Sequence, residues 1–207
     1  MKENGFEYVD LGFPSDTMWA TCNVGAETPE DEGLLFQFGR VDGYRYGDEN
    51  HKFKTNTQNR QDTGHRFIPQ TMSGKIYNKR NNILDLEDDA AYVNMGGTWR
   101  MPTKDEFYEL VYNTKHMEKT IHGVQGMMFT SNINERQLFI PFMQGYWYNG
   151  NYYKAKTCAS IWSSQVPSSY ANIAYVLYCN SDGYAYVSNY FRPDAFSVRG
   201  VFKKIIA

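Results

Sequence analysis

The chain has 207 residues, 42% of them apolar, and a formal net charge of −2. That apolar content can build a core, which excludes wholesale disorder, and no sustained basic stripe offers itself to nucleic acid. No apolar run approaches a membrane span, so membrane insertion is not expected. No Gly/Ser, Pro-rich or like-charged stretch divides the chain, so a single domain over 1–207 is expected.

In chain order, residues 6 to 25 read as a hairpin. Phe6, Tyr8, Val9 and Leu11 lead into the turn that begins at Gly12, and Met18, Trp19 and Ala20 follow it. Residues 34 to 39 form a short apolar strand. Residues 40 to 82 are polar, rich in Asn, Gln, Arg, Lys and Gly, and read as a long insertion that carries His51 and His65. Two helices are predicted next. The first runs near 85 to 95, with Asp85, Glu87, Asp88 and Asp89 at its start, where the helix dipole favours acids, and Gly96 and Gly97 as its stop. Those acids lack the spacing and glycine of a calcium loop. The second runs near 103 to 113. Thr103 and Glu106 make a capping box, and Phe107, Leu110 and Val111 share one helical face.

From about residue 121 the pattern turns to strands: short apolar runs at 127–130, 138–141 and 161–164, and a hairpin joining 174–179 to 184–187 around Ser181, Asp182 and Gly183. A final strand from Phe196 closes the chain, and pairing of the first and last strands is expected. The whole reads as an α+β domain of two helices with short antiparallel strands and long loops.

The stretch from Tyr146 to Phe191 is unusual in composition. It holds ten of the 17 tyrosines, seven serines and five asparagines, and its only charges are Lys154, Lys156 and Asp182. Tyrosine gives a broad amphipathic contact at low entropic cost, while Ser and Asn supply adaptable hydrogen bonds. A tyrosine-rich sheet with no ligand is the competing reading. In the hairpin, alternation sets Tyr184, Tyr186 and Ser188 on one face and Ala185 and Val187 on the other; Leu177 and Cys179 are assigned to the core, leaving Tyr178 and Asn180 outward.

The order of several motifs resembles a large paralogous family of gut Bacteroidetes and Fibrobacter. They are Tyr8 to Gly25, Leu86 to Ala91, Gly96 to Thr103, Trp162 to Ser164 and Phe196 to Arg199. The resemblance covers most of the chain outside 40–82. It implies a C-type lectin-like fold of the formylglycine-generating-enzyme type, the scaffold also used by variable proteins of diversity-generating retroelements. In those systems a reverse transcriptase randomises asparagine-type codons near the gene's 3′ end. The segment Tyr170 to Ala195 is built mainly from the resulting residues. The resemblance further implies a receptor-binding tip or adhesin at a virion or bacterial cell surface, with a homo-oligomer by family habit. Met1 to Phe6 has no apolar core of a signal peptide, which favours the phage-like version. Departures stand at Ala195, where the family has Gly; at Gly200, where it has Pro; and at Phe38 to Arg40, where it has Trp-Gly-Glu.

Two function classes compete. A formylglycine-generating-type enzyme needs two closely spaced cysteines near the C-terminus, whereas Cys158 and Cys179 lie far apart and Cys22 is remote. His51, His65, His116 and His122 all lie outside the tyrosine-rich segment, so no base accompanies a nucleophile there. Cys158 and Cys179 could pair if their strands adjoin; three free thiols is the preferred reading. Calcium-dependent sugar binding lacks its acid–amide triplets, Arg192 to Asp194 being the nearest fragment. The reading is therefore a non-enzymatic binder of a cell-surface protein or glycan, with no metal or cofactor. Its variable region lies near 162–196, and its surface is formed by Tyr170, Asn172, Tyr178, Asn180, Asp182, Tyr184, Tyr186, Ser188, Asn189, Tyr190 and Asp194. Trp19, Trp99, Trp162, Phe196 and Val198 are assigned to the scaffold, with Arg100 and Arg199 as buried ion-pair partners.

Overall fold

The computed structural model describes residues 1–45, 82–143, 145–148, 151–168, 173–192 and 194–204. In chain order its elements are β1 (Lys2–Glu3), β2 (Phe6–Asp10), β3 (Thr17–Asn23), β4 (Leu35–Gln37), a 3-10 turn (Leu86–Asp88), α1 (Ala90–Met95) and α2 (Lys104–Tyr112). Ten strands follow: β5 (Thr114–Ile121), β6 (Val124–Ser131), β7 (Gln137–Pro141), β8 (Gly145–Tyr148), β9 (Asn151–Lys154), β10 (Cys158–Trp162), β11 (Ile173–Asn180), β12 (Ala185–Phe191), β13 (Ala195–Ser197) and β14 (Arg199–Lys203).

These strands form three sheets. The first has the order β1-β2-β3-β14, the second β12-β11-β10-β13-β8-β9 with β4 paired to β13, and the third β5-β6-β7. The 6–25 hairpin, the 34–39 strand and the 174–187 hairpin lie where their alternation placed them. The late strand β14 pairs antiparallel with β3, setting Val201 opposite Trp19. Nearly all of the 40–82 insertion, with His51 and His65, lies outside the described residues.

The expected α+β, C-type lectin-like arrangement is not what these residues build. Strand accounts for 46% of the described residues, one of the sheets curls into a half-barrel, and only two short α-helices occur among those residues. The acids predicted to start the first helix explain part of the difference. Asp85 to Asp88 make a 3-10 turn, and Asp89 in extended conformation is the true cap, its side chain accepting from the Tyr92 N–H at 2.9 Å. After six helical residues the helix stops at Gly96, whose φ of 66° suits glycine. The second helix keeps its predicted capping box in full: Thr103 accepts from the Glu106 N–H, and Glu106 accepts from the Thr103 N–H. Beyond it, β5 was not anticipated. Its sequence carries Lys115, Glu118 and Lys119 with few apolar residues, so its strand character comes from pairing with β6 along its whole length.

Two hydrophobic clusters flank the second sheet. One gathers Trp99, Trp162, Phe36, Val176, Phe196 and Phe202. The other gathers Trp19, Phe107, Leu110, Phe129, Ile161 and Leu177. Strands β10 and β11 supply both, so each carries buried residues on its two faces. All five side chains assigned to the scaffold are buried. Gly200 is needed for close approach, since a Cβ there would stand 2.6 Å from the Met95 sulfur.

The arginines divide. Arg100 pairs with Glu106 at 2.6 Å as expected. Arg199 is fully buried, yet the acceptors around it are neutral: Asn23 Oδ1 at 2.8 Å, the Ala20 carbonyl at 2.9 Å and the Phe139 carbonyl at 3.1 Å. It ties β14 to β3 and to the third sheet through hydrogen bonds, not through an ion pair among the described residues.

Candidate functional site

The β11–β12 hairpin carries most of the candidate residues, and its register sorts them. The Tyr175 N–H donates to the Gln165 carbonyl at 3.0 Å, and the Tyr175 carbonyl accepts from the Ser163 N–H at 2.9 Å. Tyr175, Leu177 and Cys179 therefore direct their backbone groups away from β12, and Val176, Tyr178 and Asn180 bond to it. At the turn, Asn180 donates its N–H to the Tyr184 carbonyl, and its side-chain oxygen accepts from the Tyr184 N–H at 3.1 Å. Gly183, with a φ of 85°, completes the turn.

Cross-strand partners share a face. Tyr178 stands opposite Tyr186, Val176 opposite Ser188 and Ala174 opposite Tyr190. At one end this face is closed: Ala174 and Val176 are buried, and Tyr190 is half-buried with its ring edge against Phe196 at 5.1 Å. Toward the turn it opens. The rings of Tyr178 and Tyr186 lie 5.2 Å apart, tilted by 44°, and Tyr186 and Tyr184 are 49% and 64% exposed. The half-buried Asn180 and Ser188 border them, and Asp182 is exposed at the tip. The other face of the hairpin is core: Leu177, Cys179, Ala185 and Val187 pack with Phe107 and Leu110 of α2.

The predicted patch is thus partly assembled. Tyr178, Asn180, Tyr184, Tyr186, Ser188 and Tyr190 share one face, with Asp182 at its tip. Asn189 does not belong to it. It is exposed, but it pairs with Tyr175 on the opposite face, where Lys104 lies 5.4 Å from the Tyr175 ring centre. Asp194 does not belong either, being 2% exposed. The chain turns inward after β12: the Arg192 carbonyl accepts from the Phe38 N–H, and Ala195 pairs with Gln37 inside the second sheet. Tyr170 and Asn172 lie outside the described residues.

The sequence reading of Cys158 as a free thiol did not place it at this face, where β10 sets it opposite Asn180 and within hydrogen-bond reach of Tyr178. Burial and the neighbouring Cys158, Tyr190 and Tyr186 push the Tyr178 hydroxyl up to about 12, so it remains a neutral donor toward the Cys158 sulfur. Burial also raises the Cys158 thiol, against the opposing effect of that hydrogen bond, and raises Cys179 further. All three cysteines are free. Ala159, not Cys158, is the partner of Cys179, so the two thiols point to opposite faces and do not bridge.

Two other features lie away from this face. Carboxylate oxygens of Asp85, Glu87 and Asp88 come within 4.8 Å of one another. Three carboxylates fall short of a calcium shell, and each already has an interaction partner. An open cleft of about 320 Å³ on the first sheet is lined by Phe6, Ala20, Cys22 and Met95 among others, without a convergent constellation of reactive groups.

The chain matches no family model, no curated protein and no solved structure. Among the described residues, no helix is long and apolar enough to cross a membrane.

Proposed function

We propose that this chain is a receptor-binding protein whose contact surface is the open end of the β11–β12 face. The observation that carries the reading is the exposure of Tyr184 and Tyr186 beside Tyr178, Asn180 and Ser188 on an uncharged face backed by a rigid core. Exposed aromatic side chains on a fixed scaffold are an efficient source of binding energy. The motif order and residue palette noted in the sequence support a diversified variable protein at a virion or bacterial surface; a lectin scaffold is no part of this reading. The reading includes no catalytic role: burial raises both the Cys158 and the Cys179 thiol, which works against the thiolate, the reactive form.

Labelled protein added to intact gut bacteria, scored by flow cytometry, tests this. A cell population should bind it, and Tyr184→Ala/Tyr186→Ala should reduce that binding by about tenfold or more. Protease treatment of the cells against periodate treatment separates a protein from a glycan receptor. Unchanged binding by the folded double variant removes the tyrosine face as the contact surface.

A further inference from the structure

Strand β12 ends the second sheet, and no strand among the described residues pairs with its outer side. Because Tyr184, Tyr186 and Ser188 turn their backbone groups toward β11, alternation turns those of Ala185, Val187 and Asn189 outward. These three residues have no backbone partner on that side among the described residues. An exposed row of N–H and C=O groups is a template for another strand, and proteins ordinarily defend such edges with charge or proline.

Every other strand that ends a sheet path here is defended. The two residues of β1 are Lys2 and Glu3, β14 is bonded on its outer side to Arg100 and ends on Lys203, β5 carries Lys115, Glu118 and Lys119, β7 ends on Pro141, and β9 ends on Lys154. In contrast, β12 runs seven residues from Ala185 to Phe191 with neither a charge nor a proline.

From this we infer that the outer edge of β12 is a pairing site for a second copy of the chain, joined antiparallel about a twofold axis through Val187. In that register Ala185 of one copy faces Asn189 of the other, Val187 faces Val187, and Tyr186 faces Ser188. Each outward-facing pair exchanges two backbone bonds, and no charge meets a like charge. A twofold contact must be self-complementary, and this segment satisfies that requirement. Directly opposed residues in an antiparallel pair share a face, so the tyrosine faces of both copies lie on the same side of one continuous sheet. The inference stands on the edge and not on what the tyrosine face binds.

Analytical ultracentrifugation from micromolar to millimolar concentration tests it. The mass should rise from the 24.0 kDa of one chain toward twice that value, and the amides of Val187 and Asn189 should gain protection from hydrogen exchange as it does. Asn189→Pro deletes one outward N–H without touching the β11 ladder, and Asn189→Lys adds charge to an exposed position; each should raise the dimer dissociation constant about tenfold or more. Their circular dichroism and melting should stay close to those of the parent. A chain that stays monomeric at millimolar concentration overturns the proposal. So does a dimer that persists undiminished in both folded variants. A monomer whose edge amides are protected only by an added neutral peptide of alternating Val and Thr overturns it in favour of a foreign strand.

Discussion

Replacing Tyr184 and Tyr186 with alanine, singly, distinguishes a projecting contact surface from a packed one. A buried tyrosine removes roughly 200 Å² from water. Tyr184 is 64% exposed and Tyr186 49% exposed, so about a third and about half of that area is covered. At ~25 cal/mol per Å² the ceilings are about 1.7 and about 2.5 kcal/mol. Compactness of the denatured chain, and the Cβ that alanine keeps, lower these to ~1 and ~1.5 kcal/mol. A fully packed aromatic would instead cost ~3–5 kcal/mol. Urea titrations followed by fluorescence of the buried Trp19, Trp99 and Trp162 give the measurement, with unchanged m-values as the check that the transition is the same. Leu177→Ala, at a position with no exposure, is the positive control and should lose ~2–5 kcal/mol. Losses above ~3 kcal/mol in both tyrosine variants would refute the reasoning, since the rings would then be core.

Arg199→Ala strands Asn23 Oδ1 and the Ala20 and Phe139 carbonyls; a loss of ~3 kcal/mol or more is expected in thermal melts, at ~1–3 kcal/mol per buried unsatisfied group. Glu106 governs the acid limb. Burial alone would raise its carboxyl, but the Arg100 hydrogen bond and charge hold it down at about 2. Unfolded Glu106 takes its proton near 4.5, so its contribution is complete above that pH and is lost as pH falls toward 2; stability of Glu106→Gln should change less across that window. Asp89 acts in the opposite sense. Burial raises it to about 6 despite its backbone donors, so Asp89→Asn should remove a gain in stability that the parent shows as pH falls from 6 toward 4. Alkylation under denaturing conditions without reductant should label all three cysteines, whereas Cys179 in the folded chain should stay unlabelled; a disulfide between Cys158 and Cys179 would contradict their opposite orientation.

Local rules carried the sequence reading as far as they reach. The Thr103–Glu106 box and the Ala185/Val187 alternation involve neighbours a few residues apart, and both are present. Alternation also held the answer for Asn189: its odd spacing from Tyr186 and Ser188 puts it on the other face, and grouping it with them overlooked that period. Asp194 was misplaced for a different reason. Its burial depends on Phe38 and Gln37, which lie some 150 positions away and pull the chain inward. The fold class failed at the same level. Six helical residues after Asp89 and nine after Thr103 give the pattern of helices but little of their weight, while β5, β8 and β9 owe their form to partners that no local pattern reveals.

The pairing of β14 with β3 has a consequence in time. Trp19 and Val201 are neighbours in space but are synthesised some 180 residues apart. Until β14 leaves the ribosome, β3 has no partner on that side, and its apolar side chains wait without their cover. Contacts of such separation slow folding, because loop closure is opposed by entropy before any bond rewards it. The N-terminal hairpin should therefore lock last although it is made first, and nascent chains ending before Arg199 should bind chaperones and yield readily to proteases.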